Sequence, residues 1–488
     1  MKKTQRKWMA ALTTGFSFSL AGSAIGLAMD PVDKNLFPYD PSLVNWEKSS
    51  APFTPPATCA ECHPQQFEEW TASVHALAFK DPVYQGELNK AVKEVGHEIS
   101  RQCEGCHSPM GVVTGEVKGP GLKGLSSIAL NGVSCDVCHS IKSHNGWLTP
   151  YHQPENGSFV MSPGRDGADG PVLTKYGPYA ATDGCGEGFH ECVENSLHKQ
   201  TELCANCHQV HHFENHTPLE STYREWKDSP YSVKNIGCQD CHMVDFQTFI
   251  RSADTFTEPQ RGEFRHYFNG ANFLLYHLAA EAAKKAGDTA LEANARSKFD
   301  MAVNRLKAAA ELEVTPIYRD KALAEIKVRV HNRRAGHNLP TSLTNIRQVW
   351  LELTVKDQVG KVIMTTGTVK PDGTLPEEVR LFNSDGMGKN LHLQIDPWKV
   401  VAFSRHDTIP PKGYKDVYYG VTAPQAKGPL AVEVKLRYRQ AEQAIAEALL
   451  AAVPADINLE ETYGLKEVPA LPVVDMVVTT VSLAPVQN

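Results

Sequence analysis

Ten of the twelve cysteines fall into five copies of one pattern. They are Cys59-Ala-Glu-Cys62-His63, Cys103-Glu-Gly-Cys106-His107, Cys135-Asp-Val-Cys138-His139, Cys204-Ala-Asn-Cys207-His208 and Cys238-Gln-Asp-Cys241-His242. Two thiols at this spacing reach the two vinyl groups on one edge of a porphyrin and form thioethers. The adjacent histidine then folds beneath the ring and supplies the proximal nitrogen to iron. Structural zinc takes such pairs two at a time, so five pairs leave one over. Neither zinc nor disulfides demands a histidine after every pair. The expectation is five covalently bound haem c groups, each with its iron. Cys185 and Cys192 remain, with no histidine after the second. A local disulfide is expected there, with two free thiols or a metal clip as the alternatives.

Five proximal histidines leave fifteen others. An electron-transfer haem fills its sixth position with a second strong ligand, whereas an enzyme haem leaves it open. His75 sits twelve residues after His63, on a segment that reads as helical from Gln65, and is a candidate for a neighbouring haem. One of His190 and His198 is expected to ligate, and His198 is taken here. One of His211, His212 and His216 is a further candidate, with His212 taken. His266 and His337 complete the distal set. His97, His144 and His152 are open between surface and ligand; His331, His392 and His406 read as surface or loop residues. Met110 and Met243 could ligate and would raise the potential, but Met243 follows its proximal histidine too closely to reach the opposite face. Histidine is the better default.

The elements that must position these groups follow. Residues 1–28 read as a secretory signal, with Lys2, Lys3, Arg6 and Lys7 before an apolar run, or as an uncleaved anchor. A signal implies a periplasmic or extracellular setting. Residues 29–55 form a Pro-rich arm. The pentahaem segment, 56–270, packs five motifs into the 184 residues from Cys59 to His242. At about 37 residues per haem, far below an ordinary domain, its apolar interior must be largely porphyrin. Short helices, many loops and little sheet are predicted. Residues 271–313 are Ala-rich with helical periodicity broken at Gly287-Asp288, which predicts two helices, the second reaching about Glu313. From about Ala324 to the C-terminus, 324–488, apolar residues alternate with period two, which predicts a small antiparallel β-sandwich, with a helix inserted over 441–453. The fold class is thus multidomain: a mainly α and irregular multihaem domain with a haem-filled core, a helical segment and a β-sandwich.

The segments Glu69-Trp-Thr-Ala-Ser-Val-His75, Gly132-Val-Ser-Cys-Asp-Val-Cys-His139, Leu203-Cys-Ala-Asn-Cys-His208 and Gly237-Cys-Gln-Asp-Cys-His-Met243 resemble the multihaem cytochrome c superfamily. That group contains the tetrahaem cytochrome c of ammonia oxidation and the octahaem hydroxylamine oxidoreductases. Ala335-Gly-His-Asn-Leu-Pro-Thr341 with Arg347-Gln-Val-Trp350 resembles the β domain fused to many of them. The resemblance runs from about Pro56 to Val355. It implies closely stacked haem pairs, mostly bis-His ligation, and His75 and His337 as distal ligands. Glu225-Trp-Lys-Asp-Ser-Pro-Tyr231 shares the resemblance but departs from it at Tyr231, where related segments often carry histidine. Pentahaem nitrite reductases carry lysine in place of one motif histidine, and all five motifs here end in histidine.

The expected function is electron transfer along closely spaced, mostly bis-His haems. The alternative is an oxidoreductase acting on a small nitrogen or sulfur compound at one haem with an open distal site, sought near Tyr231. No catalytic residue is assigned. Net charge is −7, and removal of the four basic leader residues leaves −11. Two propionates per haem add to that, which disfavours nucleic acid and favours redox partners with basic patches. A quinol-linked membrane cytochrome or a terminal reductase fits, and self-assembly through a shared histidine is a third possibility.

Overall fold

The computed structural model describes residues 44–257, 264–421 and 428–486, which belong to one unit spanning Asp40–Asn488. The leader and most of the arm lie outside these residues. No helix among the described residues is long and apolar enough to cross a membrane.

The N-terminal half is built as its composition demands. Helices are short, and each starts where the sequence supplies a cap. Ser73 accepts from Ala76 N to open Val74–Leu77, the turn that carries His75. Asp81 accepts from Val83 N, with Pro82 at the first position, to open Pro82–Val95. The attachment motifs sit on helical turns: Glu98–His107, Cys135–His139, Glu202–Ala205 and Gln239–His242. One turn brings residues i and i+3 to the same side, which aims both thiols of a motif in one direction. The sheets between them are small. Asn45–Trp46 pairs in parallel with Val160–Met161, so the end of the arm is a strand of the haem-bearing region. Val44 and Phe53 are buried beside Met110, Val137, Ile141 and Phe159. Cys185 and Cys192 are joined as a disulfide.

Two helices follow, Phe273–Ala286 and Thr289–Ala309. Gly287 closes the first in the left-handed conformation, and Asp288 caps the second. The second helix stops short of Glu313: a strand, Ala310–Arg319, begins without an intervening loop. Leu312 and Val314 alternate there and pack on the β core, which outweighs the helix propensity of Ala-Glu-Leu-Glu. The β region therefore begins at Ala310 rather than near Ala324.

That region is two sheets around one core. One sheet orders Tyr414–Gly420, Ala322–Asn332 and Ala310–Arg319, all antiparallel. The other orders Val362–Thr366, Gln348–Lys356, Leu430–Arg439 and Val474–Leu483. The alternation read in the sequence is the inward face: Ile326, Val328 and Val330 meet Leu351, Leu353, Val355, Val432, Val434 and Leu436. The Ala-rich insert is the helix Gln443–Leu450, packed against Pro82–Val95 of the haem-bearing half. The connection between Ala322–Asn332 and Gln348–Lys356 carries His337 out of the sandwich.

Candidate haem site

All ten motif cysteines and all five motif histidines line one cavity of about 1620 Å³. Its walls come from every part of the chain, including Leu306 and Arg305 of the helical pair and Ala335–Leu339 of the β region. The buried apolar clusters of the first half are small and arranged around it. The lining of that half, apolar side chains with paired thiols and histidines, fits porphyrin and not a bare ion. Among the described residues no group of three His, Cys, Asp or Glu side chains could hold a metal ion on its own.

The thiols of different motifs touch. Cys59 is hydrogen-bonded to Cys135, Cys106 to Cys207, and Cys204 to Cys238. Cys138 lies close enough to interact electrostatically with Cys204 and Cys207. Since each thiol marks one edge of its own porphyrin, the first and third attachment sites are neighbours, as are the second and fourth, the third and fourth, and the fourth and fifth.

Backbone carbonyls orient the proximal rings. His107 Nδ1 donates to Ala78 O at 2.8 Å, His139 Nδ1 to Tyr176 O at 2.7 Å and His242 Nδ1 to Asn269 O at 3.1 Å. With Nδ1 occupied, Nε2 is left for a metal. Burial pushes His107 down to about 4 and His242 to about 3. It does the same for His75, to about 3, and for His198 and His266, to about 4. His139 and His337 are also lowered, chiefly by burial. Each is therefore neutral, the form that coordinates iron.

An imidazole nitrogen sits about 2 Å from a metal it binds. It is about 1.2 Å from the centre of its own ring, given ordinary C–N bond lengths. Two imidazoles on opposite sides of one metal thus have ring centres about 6.3 Å apart. His75 and His208 are 6.2 Å apart, His139 and His266 6.3 Å, and His242 and His337 6.4 Å. His198 is 5.8 Å from His139, with its Nε2 3.3 Å from Ile141 O. His190 and His266 lie near His63. Against His107 the one ring brought close among the described residues is Tyr84, stacked at 3.8 Å with an interplanar angle of 4°. Chain geometry explains His75: its O accepts from Val133 N at 3.0 Å. Gly132 passes so near that a Cβ there would lie 2.7 Å from the same oxygen, at φ +58°.

The remaining histidines divide by place. His212 lines the cavity, yet its Nδ1 accepts from Glu214 N at 3.1 Å and its Nε2 bonds Trp398 O at 3.1 Å. Neither ring nitrogen is left over. His97, His144, His152, His211 and His216 do not line the cavity. His211 instead pairs with the fully buried Glu155 at 2.9 Å. Met110 is packed in an apolar cluster and does not itself line the cavity, whereas Met243 does. Tyr231 is buried with its OH donating to Ala253 O at 3.3 Å. The ring across from the neighbouring His242 is His337, 6.4 Å away. Lys175 and Arg305 line the cavity without belonging to a motif and escaped the sequence reading. Glu225 Oε2 accepts from Asn338 N at 3.0 Å and from Thr341 Oγ1 at 2.6 Å, which fastens the His337 loop. Lys175 and Asp136 form an ion pair beside Cys59 and Cys135, and Arg305 reaches Cys241.

Residues 58–140 match the family model for cytochrome c554 and c-prime. The fold is similar to that of a penta-haem cytochrome c552 from Thermochromatium tepidum, at 18% sequence identity and a TM-score of 0.57, covering 88% of this chain and 99% of that one. No curated protein matches the sequence significantly. Five attachment motifs on one cavity, the family match over residues 58–140 and the shared fold together support a multihaem c-type cytochrome with covalently bound haem c.

Proposed function

We propose that the protein is a pentahaem electron carrier. The single observation that carries this is the shared cavity, in which thiols of successive attachment sites touch. Haems bonded to those thiols lie edge to edge, and a close edge-to-edge array moves electrons without further machinery. The contacts support a path from the first haem to the third and fourth, with the second and fifth as two arms from the fourth. Bound iron supplies the one-electron chemistry; the chain supplies spacing, axial nitrogens and local charge.

The spacing supports His75 as distal ligand of the fourth haem, His266 of the third and His337 of the fifth. His198, with its ring 5.8 Å from His139, stands on the third site, while His190 and His266 are the histidines near His63, so the first haem's distal ligand is sought between those two. His212 is set aside as a ligand. This leaves the second haem without a histidine across from His107. That observation favours a second reading, an oxidoreductase with its open distal site at the second haem, not at Tyr231. The leader fits a periplasmic or extracellular setting. Partners fitting an acidic haem protein are redox proteins with basic docking patches, such as a quinol-linked membrane cytochrome or a terminal reductase; self-assembly is a further possibility.

Mass spectrometry with EPR of the oxidised protein tests these readings. Five haems per chain are expected; five low-spin signals support the carrier, and a high-spin signal from one haem among four low-spin ones supports the oxidoreductase. Carbon monoxide binding to one haem in the reduced protein would favour the oxidoreductase; no binding would favour pure transfer. A mass equal to the bare polypeptide would end both.

A further inference from the structure

Arg305 leaves the helix Thr289–Ala309 and reaches the fifth attachment motif. Its Nη1 donates to Cys241 O at 2.5 Å and its Nη2 to Val244 O at 2.6 Å. Cys241 carries a thiol of the fifth site, and His242 is the next residue. The guanidinium lies 5.0 Å over the Phe249 ring and lines the cavity. Both its bonds go to neutral carbonyls, and no carboxylate among the described residues stands within ion-pair distance of it. A second cation, Lys412, behaves alike: its Nζ donates to Ala253 O at 2.7 Å and Arg333 O at 2.8 Å, over the rings of Tyr231 and Phe256.

Charges facing this motif are Arg305, Lys412, Asp240 and Asp245. Asp240 accepts from Gly237 N at 2.8 Å, and Asp245 caps its own helix. At His242 itself the charged side chain that acts is Arg305, joined by the neutral rings of His337 and His208. At the second site Tyr84 and Cys103 face Glu87 and Glu104; Arg101 acts on Glu104, and Glu87 has Asp81, Asp396, Glu220 and Arg347 around it, with Asp396 itself paired to Lys90 at 2.6 Å and Lys399 at 3.0 Å.

Reducing a ferric haem adds one negative charge, which a nearby cation in a low-dielectric surrounding stabilises. We infer that Arg305 raises the potential of the fifth haem and so biases the electron of the fourth haem toward it. The step is one electron: the fourth iron goes from ferrous to ferric and the fifth from ferric to ferrous. The inference rests on the electron-carrier reading above. Arg305 acts through charge on a neighbouring centre and is a positioning residue.

The test is a spectroelectrochemical titration of the full holoprotein, as wild type, Arg305→Gln, Arg305→Lys and His337→Ala. In Arg305→Gln one reduction step moves to lower potential, with the ferrous-to-ferric ratio of that haem at fixed potential down about tenfold, or about 59 mV for one electron. Arg305→Lys keeps most of the wild-type value. The step that moves is the one that His337→Ala perturbs. An unmoved titration in Arg305→Gln, or movement of a different step, overturns the inference while leaving the array intact. A wild type without five reducible haems overturns the array itself. Should Arg305→Gln fail to assemble, Arg305→Lys with a step lowered as far as about tenfold refutes a charge effect, and an unshifted step upholds it.

Discussion

The ion pair beneath the first and third attachment sites offers the sharpest energetic test. Lys175 Nζ stands 2.6 Å from Asp136 Oδ1, with the side chains 12% and 1% exposed. Asp136 Oδ2 also accepts from Thr54 N at 2.5 Å, and Lys175 Nζ donates to Thr54 Oγ1 at 3.0 Å. The two charges therefore hold the end of the N-terminal arm against the third motif. At an effective dielectric of about 20 their direct attraction is about 6 kcal/mol, most of it offset by desolvation. Removing one partner leaves the other buried and uncompensated, which costs roughly 3–5 kcal/mol. Lys175→Met should lose about that much stability, whereas the Asp136→Asn/Lys175→Met double variant should lose far less, because no bare charge remains. The assay is guanidinium denaturation of the holoprotein, followed by far-UV circular dichroism and the Soret band, with the four members of the cycle compared. Equal losses in single and double variants, or a loss below about 1 kcal/mol for Lys175→Met, would refute the reasoning.

Two further outcomes follow from particular side chains. His212→Ala should leave the low-spin EPR signals unchanged in number and field, since both its nitrogens already serve the backbone; a new high-spin signal would make it a ligand after all. Burial, with Asp396 and Asp81 nearby, pushes Glu87 up from 4.5 to about 7. Between these values the unfolded chain ionises while the folded one keeps its proton, so this residue makes stability fall as pH rises through the window and stay low above it. Glu87→Gln should gain about 1–3 kcal/mol at pH 8 and little at pH 4. Denaturation midpoints at the two pH values give the answer, and an equal change at both contradicts the burial argument.

The attachment chemistry was legible in the sequence because it is local. Cys-x-x-Cys-His needs one helical turn to present two thiols and a nitrogen, so the spacing alone carries it. The inward faces of the β-sandwich were legible for the same reason: Ile326, Val328 and Val330 alternate whatever lies opposite. The helix end near Ala309 was not, because Ala-Glu-Leu-Glu suits a helix by propensity and only the core beneath Leu312 and Val314 makes it a strand. Distal histidines lie beyond sequence reasoning in a stronger sense. His75 and His208, or His242 and His337, are distant in the chain and meet only because loops from separate elements close on one cavity. Whether His212 keeps a free nitrogen depends on Trp398 O, which is far away in sequence. The same holds for Arg305 beside Cys241 and Lys175 beside Asp136. Composition and spacing determined which cysteines and histidines are arranged to take haem. Which attachment sites touch, which ring faces which, and what charge each haem feels are through-space quantities, and those the tertiary fold decided.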